Sequence, residues 1–297
     1  MYSSGVARLD AALRGGVQSG LLEIFGPAAS GKTALAASFV REVSLSGEPC
    51  GWVQAAGFPE VRWLSKCGAG DCLVARPTTG EGVFETAHSM LAHGAKCVVV
   101  DGLSQLEPSS EAQLHLGDSI LNNRNRFLFH GCYHLARTAV SQGALVILVN
   151  ETRAQPGRGE VSAMRNILRR SNATRLRTKR LVMRTAYGEF GYLQVGFKVI
   201  RAGAQPPGAE AAGLVTPNGF DRNLELLIGL QDTGVLERRG SYWTNETYGQ
   251  FGPGYTEGAK QVAPMYETLK GVHDESRSNR RDRRAGASEH RGKRRRW

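Results

Sequence analysis

A glycine-rich turn between an apolar run and a helical pattern limits the folds open to this chain of 297 residues. Residues 26–33 read Gly-Pro-Ala-Ala-Ser-Gly-Lys-Thr, which is the Gly-x-x-x-x-Gly-Lys-Thr pattern of a phosphate-binding loop, or P-loop. Residues 21–26 are typical of a buried strand, and residues 33–43 predict a helix. In that setting, successive backbone N–H groups and the positive end of a helix face an anion. The sequence therefore predicts a nucleotide phosphate site.

The side chains of the loop and of one later strand suggest how a nucleotide would be held. The pattern assigns Lys32 to the β- and γ-phosphates and the Thr33 hydroxyl to Mg²⁺. A second metal carboxylate is expected at the end of an apolar strand, where Asp101 follows three valines. We predict Thr33 and Asp101 as metal-binding residues. The loop and this strand together predict the nucleotide-binding residues Gly26, Ser30, Gly31, Lys32, Thr33 and Asp101.

Short apolar, β-branched runs alternate with helical patterns through the first half of the chain, as central parallel strands do. This alternation predicts an α/β fold with a mostly parallel sheet flanked by helices. The predicted strands are 21–26, 51–55, 72–75, 96–102 and 144–150, and the predicted helices are 33–43, 83–93 and 119–141.

The pattern changes after residue 150. Residues 151–172 favour a mobile loop, whereas 173–183 and 191–201 alternate like antiparallel strands. Residues 204–213 predict a loop, and 223–236 predict a helix. We predict three regions from these shifts: a core of residues 1–222, a small C-terminal region of 223–273, and a disordered Arg-rich tail of 274–297.

The net charge of +11 is concentrated in two segments. Residues 153–184 carry +9 and residues 274–297 carry +6, so the rest of the chain is slightly acidic. Clustered arginine is typical of a surface that binds a polyanion such as nucleic acid. The alternative is a solvated loop face and a solubilising tail. We favour nucleic-acid binding for 153–184 and leave both readings open for the tail.

Other sequence features bear on the compartment. No apolar stretch of about 18 residues predicts a membrane span, and the first residues lack the pattern of a secretory signal. We therefore expect a cytoplasmic protein, associated with the nucleoid if it binds DNA. The five cysteines are an odd number, which argues against a disulfide framework and favours buried or free thiols.

An ordered set of motifs resembles the RecA recombinase family. The resemblance is collinear over about residues 5–270 and is weakest across 155–220. The P-loop alone is generic, whereas the order of the motifs is specific. The motifs are Leu9-Asp10-x-x-Leu13, Gly15-Gly16, the P-loop with its strand, Thr79-Gly80-Glu81, Gly117-Asp118-Ser119, Val149-Asn150-Glu151-Thr152-Arg153 and Gly240-Ser241-Tyr242-Trp243.

The resemblance implies a RecA-type P-loop core that binds ATP, Mg and DNA. Glu151 takes the place of a residue that senses the γ-phosphate in the family. Ungapped counting from Cys50 places Trp63 where the family stacks a ring on adenine, or alternatively in the core. The implied DNA-binding residues are Arg126, Arg153, Arg158, Arg165, Arg169, Arg170 and Arg175.

Four departures from the family bear on activity. The same counting puts Ala56 where the family has its general base, and a methyl group cannot deprotonate water. Glu151 replaces a glutamine, so its charge opposes that of the γ-phosphate. The N-terminal arm that joins neighbouring subunits is not matched, so we expect reduced self-association. The tail is basic where the family's is acidic.

Two functions follow from this comparison. The first is an ATP-binding and DNA-binding protein of DNA repair and homologous recombination, active on single-stranded and also double-stranded DNA, and a DNA-dependent ATPase if it hydrolyses ATP. The alternative is a non-catalytic accessory or scaffold subunit in the DNA damage response or translesion synthesis. That role would imply RecA or a repair polymerase complex as a partner. The Gly240-to-Trp243 motif argues against a helicase-like motor.

Overall fold

The computed structural model describes residues 1–55, 61–109, 121–155, 157, 159–168, 173–184, 192–201, 207–266 and 268. The chain divides into two compact units, Met1–Asp221 and Arg222–Trp297. The predicted general-base position, Ala56, lies outside the described residues, as do the Gly117-Asp118-Ser119 motif and the tail of residues 274–297.

The first unit is built on one large sheet with the P-loop strand near its centre. The strand order is β10-β9-β8-β7-β1-β5-β4-β2-β3, and β6 pairs with β5. The strands are β1 (Gly20–Gly26), β2 (Cys50–Gln54), β3 (Leu73–Ala75), β4 (Cys97–Asp101), β5 (Leu145–Gln155), β6 (Gly159–Ser162), β7 (Thr174–Arg184), β8 (Tyr192–Arg201), β9 (Glu210–Thr216) and β10 (Gly219–Phe220).

Strand direction divides the sheet into two parts. The strands β7, β1, β5, β4, β2 and β3 run parallel to one another. The strands β8, β9 and β10 extend the sheet from β7 in antiparallel pairs. The predicted mostly parallel α/β fold is confirmed.

Helices bury both faces of the parallel part. On one face, Leu35 and Phe39 belong to the same core cluster as Trp52. On the other face, Phe84 and Leu128 belong to a second cluster. Neighbouring strand residues alternate between these clusters, so the parallel strands are buried on both sides. The helices of this unit are α1 (Ala7–Ala12), α2 (Lys32–Leu45), α3 (Val61–Lys66), α4 (Gly80–Ala92), α5 (Leu121–Ser141) and α6 (Arg165–Leu168).

The loop prediction for residues 151–172 is wrong for much of the segment. The strand β5 continues through Gln155, turns, and pairs antiparallel with β6 as a hairpin, and α6 follows. Most side chains of the hairpin face water, so its strands need no apolar alternation and gave no strand signal. The predicted antiparallel strands over 173–183 and 191–201 are confirmed as β7 and β8.

The loop prediction for residues 204–213 is wrong at its C-terminal end, because β9 begins at Glu210 and pairs with β8. Its first residues are Glu, Ala, Ala and Gly, which have low intrinsic strand preference. Packing decides the outcome, since a Cβ at Gly213 would come within 3.0 Å of the Phe197 ring. Only a residue without a side chain lets the strand approach this closely.

The second unit has its own small core around a buried tryptophan. The Trp243 indole is fully buried, and its Nε1 donates to the Gly254 carbonyl at 2.7 Å. The helix predicted over 223–236 ends at Asp232. The elements of this unit are α7 (Arg222–Asp232), β11 (Glu237–Arg239), β12 (Tyr242–Asn245), β13 (Gly249–Pro253) and α8 (Gly254–Val262).

The described helices include none that is long and apolar enough to cross a membrane. The five cysteines are buried free thiols, as expected.

Candidate functional site

The carboxyl ends of four parallel strands meet at one edge of the sheet. Gly26, the last residue of β1, lies in register with Glu151 on β5. Asp101, the last residue of β4, lies beside Val149 of β5 and Gln54 of β2. Residues that are distant in sequence are therefore neighbours at this edge, which is where open α/β sheets bind ligands.

The P-loop follows β1 and leads into α2 through a glycine with left-handed backbone. Gly31 has φ of +80° and is the N-cap of α2. A Cβ on Gly31 would lie 2.8 Å from a Val195 methyl group, and a Cβ on Gly26 would overlap Thr178. The glycines therefore allow the loop to lie tight against β7 and β8, where a side chain at either position would clash.

Thr33 and Asp101, the two predicted metal ligands, are in direct contact. The Thr33 hydroxyl donates to Asp101 Oδ2 at 3.2 Å. Burial raises the pKa of Asp101 to about 6, against the opposing effects of the Thr33 hydrogen bond and the Lys32 charge. A hydroxyl and a hard carboxylate oxygen beside a candidate phosphate-binding loop are the protein ligands that Mg²⁺ takes beside a nucleotide. The residues present fit an ATP·Mg site.

Lys32 lies inside the loop rather than in solvent. Its Nζ donates to the carbonyl oxygens of Gly26 at 3.1 Å and Pro27 at 2.8 Å. Burial lowers the pKa of Lys32, whereas the Glu151 and Asp101 carboxylates raise it. The ammonium is thus partly desolvated and held among acceptors, so its attraction for a phosphate is screened less than that of a surface lysine.

Ser30 braces the loop from within. Its hydroxyl donates to the Pro27 carbonyl at 2.8 Å and contacts the Thr178 hydroxyl at 2.6 Å. The Ser30 side chain is therefore engaged by the protein, and any phosphate contact falls to its backbone N–H. Thr178 supports the loop from β7, and no local sequence pattern marks it.

Glu151 and Trp63 have different surroundings. Glu151 is exposed on β5 beside Gly26, at the last pair between β5 and β1, and its N–H donates to Asn150 Oδ1 at 2.9 Å. Trp63 packs against the core cluster that contains α2, and its Nε1 donates to the Pro217 carbonyl at 3.2 Å. The Trp63 ring is half-buried against this core, and stacking on adenine stays a prediction.

The predicted DNA-binding arginines do not form one group. Arg153 is exposed on the β5–β6 hairpin opposite Val161. Arg126 is exposed on α5, and Arg165 is half-buried at the start of α6. Three others lie outside the described residues: Arg158, Arg169 and Arg170.

The structure corrects the assignment of Arg175. Its side chain is buried, and its Nε donates to Glu23 Oε2 at 2.6 Å. Its guanidinium also lies 5.2 Å from the centre of the Phe25 ring. Arg175 neutralises a buried carboxylate and is not placed to contact a phosphate, so we leave it out of the candidate DNA surface.

Comparison with known proteins agrees with this architecture. The family model for the RecA N-terminal domain matches residues 1–211. The chain is 28% identical over 292 residues to Protein RecA of Wolbachia sp. subsp. Drosophila simulans, covering 94% of this chain and 80% of that protein. It is 28% identical to Protein RecA of Bordetella petrii, over 82% of this chain and 71% of the relative. For Protein RecA of Rippkaea orientalis the identity is 29%, over 82% and 72%.

The family match covers well over half of the chain and includes the P-loop, Asp101 and the β5–β6 hairpin. With these features collinear in the sequence and assembled at one edge of the sheet, the chain belongs to the RecA family.

Proposed function

We propose that the protein binds ATP·Mg and single-stranded DNA, and that it acts in DNA repair and homologous recombination. One observation carries the proposal. Strand β5 passes beside Gly26 of the P-loop at Glu151 and then continues as the hairpin that presents Arg153. A single strand therefore passes beside the candidate phosphate loop and then continues into the candidate nucleic-acid surface.

The nucleic-acid part of the proposal rests on arginine and exposure. Arg153 is exposed, and its bidentate guanidinium suits a phosphate oxygen pair. Phosphate contacts carry no base information, so we propose binding without sequence preference, to single strands and also to duplexes. Self-association, and contact with RecA or a repair polymerase complex, remain further proposals from the family. A cytoplasmic, nucleoid-associated location is part of the same proposal.

The salt dependence of DNA binding tests this surface. Removal of residues 274–297, which carry ten basic and four acidic residues, should weaken oligonucleotide binding and flatten its dependence on salt.

Arg153→Gln should lower the slope of log affinity against log salt by about 0.7, the value for one phosphate on a single strand. The measurement is fluorescence anisotropy at several salt concentrations. Arg14→Gln is the matched control, because it removes the same charge from the turn after α1. Wild-type slopes in the tail deletion and in Arg153→Gln would contradict the proposed DNA-binding surface.

The alternative function, a scaffold that binds ATP without hydrolysing it, is favoured by the alanine at position 56. We expect tight ATP binding with no appreciable turnover, with or without single-stranded DNA, because a methyl group cannot activate water. Single-turnover hydrolysis of labelled ATP measures this directly.

DNA-stimulated turnover would contradict the scaffold and would require another base. Glu151 is the described carboxylate to test first, since it lies beside Gly26. In that case Glu151→Gln should remove the turnover while ATP binding persists.

A further inference from the structure

Glu23 is a carboxylate in the middle of the apolar strand β1. Its side chain is fully buried, and the strand residues on either side of it, Leu22 and Ile24, are core residues. A buried carboxylate costs several kcal/mol unless charge and hydrogen bonds compensate it, and an apolar residue would serve packing at least as well. Its presence three residues before Gly26 therefore calls for a role other than packing.

Donors from three other strands contact this carboxylate. Arg175 on β7 donates to Oε2 at 2.6 Å. Asn150 Nδ2 on β5 donates to Oε1 at 3.0 Å, and the Ser162 hydroxyl on β6 donates to the same oxygen. The Ser162 oxygen also accepts from Asn150 Nδ2 at 3.2 Å and from the Met164 N–H at 3.1 Å. The network leaves neither carboxylate oxygen unpaired.

The two neutral donors, Asn150 and Ser162, lie on different strands of the hairpin. We call these two strands, β5 and β6, its legs. Asn150 is the last buried residue of β5 before the hairpin leaves the sheet, and Ser162 is the last residue of β6 as it returns. A single oxygen, Glu23 Oε1, therefore accepts a hydrogen bond from each leg and connects both to the P-loop strand. We call this pair of hydrogen bonds the tie. Asn150 extends the tie through Oδ1, which accepts from the Glu151 N–H.

We propose that Glu23 is a positioning residue for the nucleic-acid site. It fixes the base of the β5–β6 hairpin to the strand that ends in the P-loop. Nucleic-acid affinity, and its response to bound nucleotide, therefore depend on the acceptor at Glu23, whereas nucleotide affinity itself does not. This role rests on the proposed function, because it requires Arg153 on the hairpin to contact DNA.

A pair of charge-matched variants isolates the tie. Glu23→Gln with Arg175→Met removes the ion pair but keeps an amide oxygen that can accept from Asn150 and Ser162. Glu23→Leu with Arg175→Met removes the ion pair and that acceptor. Both have the same net charge and neither leaves a buried unpaired arginine, so they differ chiefly in the tie. Ser162→Ala is a third variant, which keeps the ion pair and frees only the returning leg.

The assay measures the affinity of a labelled single-stranded oligonucleotide with and without a slowly hydrolysed ATP analogue, and the affinity of the analogue alone. For the leucine variant and for Ser162→Ala we expect oligonucleotide affinity on the order of tenfold weaker and a smaller nucleotide response, with analogue affinity unchanged. The glutamine variant should behave as wild type, a rescue that a purely structural effect of losing the ion pair would not produce. If the leucine variant does not fold, the oligonucleotide affinity of Ser162→Ala still tests the role of Glu23.

Two outcomes distinguish a failure of the role of Glu23 from a failure of the proposed nucleic-acid binding. Wild-type oligonucleotide affinity and nucleotide response in the leucine and alanine variants would overturn the role of Glu23 alone. A wild-type protein that binds the analogue but no oligonucleotide would overturn the proposed function and this role with it.

Discussion

Replacing Lys32 with alanine is expected to abolish detectable ATP binding. The Lys32 ammonium lies within the loop, against the Gly26 and Pro27 carbonyls, and is partly desolvated. Its hydrogen bonds to a bound phosphate would be charge-assisted, and their loss would cost ~3 kcal/mol or more. Affinity should fall at least ~100-fold. Isothermal titration calorimetry with ATP and Mg²⁺ measures the change.

The control for Lys32→Ala is Lys66→Ala, which removes the same charge from the exposed end of α3. The control should keep wild-type ATP affinity, and both variants should keep the wild-type unfolding midpoint within a few degrees. Unchanged ATP affinity in Lys32→Ala would sink the assignment of the P-loop as the nucleotide site.

Asp101→Asn should have two opposite effects, a more stable free protein and a loss of Mg²⁺-dependent nucleotide binding. Burial raises the pKa of Asp101 to about 6, from an ordinary value of 3.8. The native state therefore holds the Asp101 proton more tightly than the unfolded state does. The resulting stability is present below pH 4 and is lost as the pH rises through about 6. Above that pH, the ionised carboxylate lowers the free energy of unfolding by up to ~3 kcal/mol.

Asparagine does not titrate and its carbonyl can still accept from Thr33, so the variant should gain most of that free energy at pH 7.5 and little at pH 4. Urea unfolding at both pH values measures the difference. Asp71→Asn, at an exposed carboxylate, is the control and should change little at either pH. Equal stability of Asp101→Asn and wild type at pH 7.5 would show that the charged carboxylate is not destabilising.

The binding half of the same prediction concerns Mg²⁺. A metal ligand must be deprotonated, so Mg²⁺-dependent nucleotide affinity of the wild type should rise through about pH 6 and level off above it. In Asp101→Asn the Mg²⁺ enhancement should fall at least ~10-fold, the range for residues that merely support a metal ligand. Nucleotide titrations with Mg²⁺ and with EDTA measure how much Mg²⁺ increases nucleotide affinity. A full Mg²⁺ enhancement in the variant would exclude Asp101 as a ligand.

The sequence predicted the candidate site better than it predicted the surface around it. The strand, turn and helix around residues 26–33 and the parallel strands have signals within a few adjacent residues, and these elements appear where predicted. The hairpin after Asn150 had no such signal, because most of its side chains face water and alternation carries no information there. Glu23 did have a signal that was missed, a charged residue inside an apolar run.

Arg175 shows why composition misled. Among ten basic residues in 153–184, nothing local separates a cation that faces solvent from one that neutralises a buried carboxylate. Its partner Glu23 lies 152 residues away along the chain, and the two meet because β7 pairs with β1. Thr178 contacts Ser30 across 148 residues for the same reason.

Local sequence patterns were enough to predict the candidate phosphate loop, the parallel sheet and membership of the RecA family. These depend on glycine, lysine and apolar residues at short spacings, whose conformational preferences act locally. Three contacts follow from the three-dimensional fold alone. Thr33 meets Asp101, Arg175 is buried on Glu23, and one carboxylate accepts from both strands of the β5–β6 hairpin. Strand order and register set those contacts, and both depend on how the whole chain buries its apolar surface.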